Sequence, residues 1–397
     1  MVNLNEDIFD WIESHLDDDP KSLALKFSGK ADWMPFAVTQ IECRKHAAKK
    51  LPETLKNRRF VFPTFLSAEQ STSDIVASFH ASLIPVGSTV LDLTCGLGID
   101  AFHFAQKAKS VIAVEMNSEI FEALNHNIKS LNISNMSAIN VDCQEYLKNC
   151  AKNFDIVYID PARRSRSGGR VYALSDCQPN VVELLDMIRN ISNCLIIKMS
   201  PMLDSMSVIN ELGCVTDIYA IGTHSECKEL VAAVKFDRNK EIVTKNHAIT
   251  LTDNELSAFE YTNQEERSSA TVFSQPSVGE YLLVPYPSVS KLMPFRLLSA
   301  RFNVGKLNVN SHLYQSKTVV ADFPGQHFLI RQILPFDKAT IKTFCRNYSK
   351  VNIATRNFPL TPDELRKRLK TKDGGDIYLF ATTLSDSSKV MILTSKP

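Results

Sequence analysis

The residues best placed to do chemistry stand at 90–101, VLDLTCGLGIDA. A strand-type apolar run enters a glycine-rich turn and a helix-type run leaves it, with Gly96 and Gly98 letting the backbone pass close to a ligand. As a dinucleotide fingerprint, Gly96-x-Gly98-x-x-Ala101 fits formally. Charge separates two ligands. A pyrophosphate rests on a helix N-terminus, and neighbouring carboxylates repel it. Here Asp92 precedes the turn and Asp100 occupies the first helical turn, a setting that attracts a cofactor bearing a sulfonium and an amino group. The sign of the site favours S-adenosylmethionine over NAD. Glu115 ends the next strand-type run, where an acid accepts both ribose hydroxyls in either cofactor class. Asp142, with Cys143, ends the third run and is placed either to meet an adenine amino group or to cap a helix. Thr94, Cys95, Met116 and, at the end of the fourth run, Asp160 complete the candidate cofactor set.

These residues need a frame. From Val90 onward TVLDLTC, VIAVEM, SAINVDC, FDIVYID, NCLIIKM, VTDIYAI and ELVAAVKF read as strands, most of them separated by helical stretches. Runs this apolar are buried on both faces, which predicts a mostly parallel, Rossmann-like α/β sheet. The last two are joined only by GTHSECK, too short for a crossover, so one antiparallel strand is expected. Upstream, Phe9, Ile12 and Leu16, then Ile41, Ala48 and Leu51, recur at helical spacing, with Pro35 and Pro52 as interruptions. Ser71–Leu83 reads as a helix before the first strand. Beyond Asp237 short strands and helices mix, with Leu365–Leu369 basic and helical and Gly374-Gly375 a turn. The expected organisation is a helical segment at 1–60, the sheet domain at 61–240, an α+β region at 241–326 and a basic α+β domain at 327–397.

VLDLTCGLG, VEMN, NVDC and YIDPARR stand in the order and at the strand ends seen in class I methyltransferases, over roughly 64–236. YLLVPYPSVSKL, NSHLYQSKTVVADFPG and KDGGDIYLFATT resemble the bacterial methyltransferases that carry a ferredoxin-like segment and a C-terminal THUMP-like domain. The resemblance implies an S-adenosylmethionine-dependent enzyme acting on RNA. Pro287 and Ser288 stand where relatives tend to have an Asn-Pro element.

In such enzymes the fourth strand ends over the methyl group, here at Asp160-Pro161-Ala162-Arg163-Arg164. Enzymes that methylate exocyclic amines commonly place an aromatic at the fourth position; Arg163 stands there instead. The element resembles the D-P-P-R of enzymes acting on uridine carbon 5, with Ala162 for the second proline. Methyl transfer asks mainly for alignment, and for a base only where the acceptor must lose a proton. Asp160, with Pro161 and Arg163, is the candidate catalytic group. Carbon methylation would also need a cysteine nucleophile. Cys95 and Cys143 read as small buried residues, whereas Cys227, with His224, Glu226 and Lys228, lies in the hairpin expected at the carboxyl edge of the sheet. These are a candidate base or clamp, or a solvated turn. The arginines of Arg163–Tyr172 are candidates for flanking phosphates or a solvated loop, and Lys198-Met199-Ser200-Pro201 faces the same cleft. Gln70, Ser71 and Thr72 are placed to reach the cofactor's amino-acid end, or Ser67 and Gln70 to cap a helix.

Bulk properties agree. No run of eighteen apolar residues suggests a membrane span, and the acidic N-terminus is unlike a secretory signal. Nine cysteines without a C-x-x-C pair point to a reducing cytoplasm and to no metal site. Residues 291–397 hold 18 Lys+Arg against 7 Asp+Glu, while the rest hold 27 against 37. A terminal region of that sign attracts a polyanion, here tRNA or rRNA, or merely solvates a surface. An RNA-binding protein without turnover and a small-molecule or protein methyltransferase are the competing readings.

Overall fold

A computed structural model describes residues 4–163, 173–236, 242–252 and 255–397. The side chain of Arg163 and the expected phosphate loop at 164–172 lie outside the described residues. The chain divides into two compact units, Met1–Asp217 with Leu230–Ile242, and Ile218–Glu229 with Val243–Pro397.

The first unit opens with α1 (Glu6–Ser14), α2 (Pro20–Lys26) and α3 (Met34–Ala47). Asn5 and Asp19 cap the first two by accepting from Ile8 N and Ser22 N. Pro35 does not interrupt a helix but sits in the first turn of α3, where its missing N–H costs nothing. Ile8, Phe9, Ile12, Leu23, Ala37 and Ile41 bury together with Val61 and with Ala123 of a later helix. The backbone at 61–62 lies outside any strand or helix, and two buried amides bond to it. Gln40 bonds Phe62 through N–H and C=O at 2.8 Å each, and Asn127 does the same for Val61 at 2.9 Å each.

Next come α4 (Phe65–Gln70) and α5 (Asp74–Ser82). The helix expected at Ser71–Leu83 begins only at Asp74. Thr64, not Ser67, is the cap of α4: its hydroxyl accepts from Ser67 N, and Ser67 returns the bond to Thr64 N. The extended φ and ψ of Thr64 put its hydroxyl over the third residue, which Ser67, already in the helix, cannot do for itself.

The sheet strands of this unit are β1 (Thr89–Asp92), β2 (Ser110–Val114), β3 (Met136–Ile139), β4 (Ile156–Ile159) and β5 (Cys194–Met199). β6 (Val215–Gly222) and β7 (Cys227–Lys235) form the hairpin through which the chain passes to the second unit and back. Around β1 the order is β7-β5-β4-β1-β2-β3. β1 to β5 pair in parallel, and β7 runs antiparallel to β5, the expected antiparallel strand. The intervening helices are α6 (Ile99–Ala105), α7 (Ser118–Ser130), α8 (Cys143–Asn149), α9 (Val181–Ile191) and α10 (Ser205–Leu212). After β1 the chain winds to β2 and β3 on one side, then returns to β4 and β5 on the other. That reversal opens a crevice at the carboxyl end of β1.

In the second unit β8 (Lys245–Leu251) pairs antiparallel with β9 (Leu256–Thr262). α11 (Asn263–Ser268) follows. A separate seven-stranded sheet is built from β10 (Tyr281–Pro285), a short strand at Gly305–Lys306, β11 (Tyr314–Ser316), β12 (Gly325–Pro335), β13 (Asn352–Arg356), β14 (Ile377–Thr383) and β15 (Lys389–Ser395). α12 (Pro287–Leu292) and α13 (Phe295–Phe302) lie between its first strands, α14 (Lys338–Asn347) and α15 (Pro362–Leu369) between the later ones. β13 and β14 pair in parallel, so the chain between them must cross over, and α15 is that crossover. Phe344, Leu365 and Leu369 bury the two later helices against Leu379, Met391 and Leu393.

Candidate active site

The crevice is built from strand ends in one register. Asp92 ends β1 opposite Ala113 of β2 and Tyr158 of β4. Beyond it the chain turns sharply, and the two glycines serve different needs. Gly96 has a φ of 57°, and a side chain there would project into open space. Gly98 has a φ of 94°, and a Cβ would stand 2.5 Å from Leu124 Cδ1 and 2.8 Å from Phe102 Cζ. Gly98 lets the turn pack; Gly96 keeps the surface above it clear.

Glu115 is held over this turn. Its Oε2 accepts from Gly96 N at 3.0 Å and its Oε1 from Asn117 N at 2.7 Å. The second strand's acid and the first strand's glycine turn thus form one wall, with Met116 exposed beside it. Asp142 caps α8, accepting from Gln144 N at 2.8 Å and Glu145 N at 3.3 Å, and remains exposed. Cys143 is buried behind it, and burial pushes its thiol up to about 11. The Cys95 thiol is likewise raised well above its ordinary range, by burial and by Asp92 and Glu115. Neither thiol is a nucleophile at neutral pH.

Asp92 is the least solvated acid of the crevice, 1% exposed. Burial pushes its carboxyl up to about 8, against the bond it accepts from Thr94 N at 3.1 Å; the nearby charges of Asp100 and Asp160 add to the rise. A cation placed beside it would reverse that balance.

The Asp100 carboxylate is engaged by protein side chains. Its Oδ2 accepts from Thr72 Oγ1 at 2.6 Å and its Oδ1 lies 2.8 Å from His80 Nδ1. Lys198 Nζ stands 3.6 Å away. Burial works to raise this carboxyl, but Lys198, His80 and Thr72 outweigh it and hold it well below the usual carboxylate range. The acid wall is therefore Asp92 and Glu115, while Asp100 anchors α5 and β5 to the start of α6. Being almost fully buried, it needed partners more than a ligand did.

Lys198 joins this anchor to the catalytic strand. Its ammonium donates to Asp160 Oδ2 at 2.6 Å and to Thr72 Oγ1 at 2.8 Å. Asp160 N donates to Thr94 Oγ1 at 2.7 Å, which ties the end of β4 to the glycine turn. After Pro161, the backbone of Ala162–Arg163 pairs with Cys177–Gln178. Of the upstream residues only Thr72 joins the site, through Asp100 and Lys198; Gln70 is exposed and bonds to none of these groups. His80 escaped the sequence reading. The signal was a histidine sharing a helix face with Val76, Ala77 and Ala81, all buried.

The hairpin candidates fall in the second unit. The His224 ring stacks on Tyr286, centroids 4.8 Å apart and planes 10° off parallel. Cys227 Sγ points to Ile221 and Glu229 carbonyls, and burial pushes its thiol up to about 11, which does not suit a nucleophile. Pro287 opens α12, and Ser288 is buried with its hydroxyl 2.8 Å from that of Thr250. Among the described residues no helix is long and apolar enough to cross a membrane, and no cluster of metal-ligating side chains occurs.

Comparison with known proteins finds likenesses along most of the chain. Residues 53–168 match the family described as conserved hypothetical protein 95, residues 281–324 a ferredoxin-like domain, and residues 325–396 a THUMP domain-like family. An uncharacterized RNA methyltransferase of Mycoplasma mobile is 33% identical over 140 residues, 34% of this chain and 38% of that protein. The ribosomal RNA small subunit methyltransferase J of Coxiella burnetii is 38% identical over 82 residues, 18% of this chain and 31% of that one. The chain thus spans about a third of the length of these curated relatives. A crystal structure from Porphyromonas gingivalis W83, classed as a methyltransferase, superposes with a TM-score of 0.87 and 32% identity, covering 98% of this chain and 97% of that one. With that likeness along nearly its whole length, the chain belongs to the class I S-adenosylmethionine-dependent methyltransferase family that carries ferredoxin-like and C-terminal THUMP-like domains.

Proposed function

We propose that this chain transfers the methyl group of S-adenosylmethionine to a base of structured RNA, tRNA or rRNA. The observation that carries the reading is the placement of Asp160. It closes β4, is fixed by Thr94 through its backbone and by Lys198 through its carboxylate, and shares its network with the glycine turn. Glu115 suits the ribose hydroxyls, Asp92 the cationic end, and Asp142 with Met116 and Cys143 the adenine; Thr94, Cys95, Gly96 and Gly98 shape the floor. When bound, the cofactor supplies an electrophilic methyl group on its sulfonium. What the protein adds is alignment: Lys198 holds the Asp160 carboxylate at the end of β4, where it can orient an acceptor N–H. Pro161 fixes the exit from the strand, and Arg163 extends the same edge.

RNA as the acceptor is supported by the named RNA methyltransferases among the relatives, by the THUMP-like match and by the basic residues of 291–397. The test is the partition of radiolabelled methyl among rRNA, tRNA, protein and small molecules of a cell extract. Label in nuclease-sensitive material supports the reading. Label confined to protein or small molecules points to the other methyltransferase class, and RNA binding with no transfer to a binding protein.

A further inference from the structure

The second unit holds a basic and aromatic cluster that its fold does not require. Phe295, half-buried at the start of α13, carries two neighbours. The His312 ring stacks on it with centroids 3.5 Å apart, and the Lys306 ammonium lies 5.0 Å from its centroid. Lys306 is 4% exposed, and its Nζ donates to Val309 O at 2.8 Å; among the described residues it forms no ion pair. His312 adopts a left-handed φ of 53°, and its Nδ1 is buried without a hydrogen-bond partner. Arg356 is exposed at the end of β13, and its hydrogen bond among the described residues is to Thr355 O at 3.2 Å. The acid closest in charge to Lys306, Glu266, has both oxygens committed to α13, accepting from Arg296 N at 3.0 Å and Leu297 N at 2.8 Å.

A buried ammonium with one acceptor and a buried imidazole nitrogen with none are costly, and beyond the Phe295 ring the described residues offer these two nitrogens no further polar partner. The segment that bears them is pinned nonetheless. Asn308 Nδ2 donates to Leu384 O at 2.9 Å, and its Oδ1 accepts from Asn310 N at 2.9 Å and Asn357 Nδ2 at 3.3 Å. The group that would satisfy all three side chains is a compact anion with several acceptor oxygens. We propose that Lys306, His312 and Arg356 bind a backbone phosphate of the RNA. The proposal rests on the RNA reading above; the excess of basic residues over 291–397 favours a polyanion over free phosphate. Burial already holds Lys306 down to about 8 and His312 down to about 4, and an anion would relieve both.

The test is fluorescence anisotropy of a labelled RNA hairpin with the full chain across a salt series, with inorganic phosphate as competitor. Replacing the buried Lys306 disturbs folding, so Arg356→Gln and His312→Leu are the informative variants. Each is expected to weaken RNA binding about three- to tenfold without lowering the melting temperature. Arg356→Gln should also lower the slope of log K against log salt by about one. Native affinity and slope in both variants would overturn the proposal and leave the RNA reading intact, as would a loss confined to inorganic phosphate. No RNA binding by the native chain would overturn both.

Discussion

If the ionised form of Asp92 is what receives the cationic end of the cofactor, binding must drive a proton off that carboxyl. Without ligand its burial sets the pKa at about 8, so near neutral pH only about one molecule in ten carries the charge. Association then requires release of about 0.9 proton at pH ~7. The observed association constant should rise about fifteenfold between pH ~6 and pH ~7.5, a window in which the cofactor's own amino group stays mostly protonated. Calorimetry in two buffers of different ionisation enthalpy measures both quantities. Asp92→Asn should abolish the slope and the proton release, and weaken binding at pH ~7.5 by about one to two orders of magnitude, the worth of a charged contact. A flat pH profile in the native chain, or a slope that survives in the variant, would refute this role for Asp92.

The same carboxyl makes the ligand-free protein less stable as pH rises. Its folded pKa lies above the unfolded 3.8, so the folded state binds the extra proton, and stability falls as pH climbs toward 8. Thermal melts at pH ~8 should show Asp92→Asn more stable than native, by up to about 5 kcal/mol, and no gain at pH ~4. Lys198→Met leaves Asp100 and Asp160 without their shared ammonium, and should cost on the order of 3 kcal/mol of stability in urea unfolding and most of the transfer rate. Gly98→Ala, which forces Leu124 and Phe102 apart at positive φ, should destabilise by about 2 kcal/mol. Gly96→Ala should fold more nearly as native yet bind cofactor weakly.

Much of this was legible because the strands are apolar on both faces, a pattern few other elements produce. The spacing from Asp92 through Gly96 to Glu115 carried the crevice, and GTHSECK carried the antiparallel strand by its length alone. What escaped was side-chain direction. Asp100 looks like a ligand-facing acid in sequence, but burial forces it to find His80, Thr72 and Lys198, which lie 20, 28 and 98 positions away. Such a network has no local signature. The cap of α4 was misread for a smaller reason: Thr and Ser stand three apart at 64 and 67, and either can cap on composition alone. The mutual bonding of Gln40 with Phe62 and Asn127 with Val61 is equally invisible in a single sequence.

The most direct measurement is mass spectrometry of nucleosides released from RNA that has been incubated with the purified chain and deuterated S-adenosylmethionine. A single nucleoside gaining the labelled methyl with native protein, and losing nearly all of it with Asp160→Asn while cofactor binding stays within a few-fold of native, is the result expected here. Label in no nucleoside, or label undiminished in the variant, would contradict it.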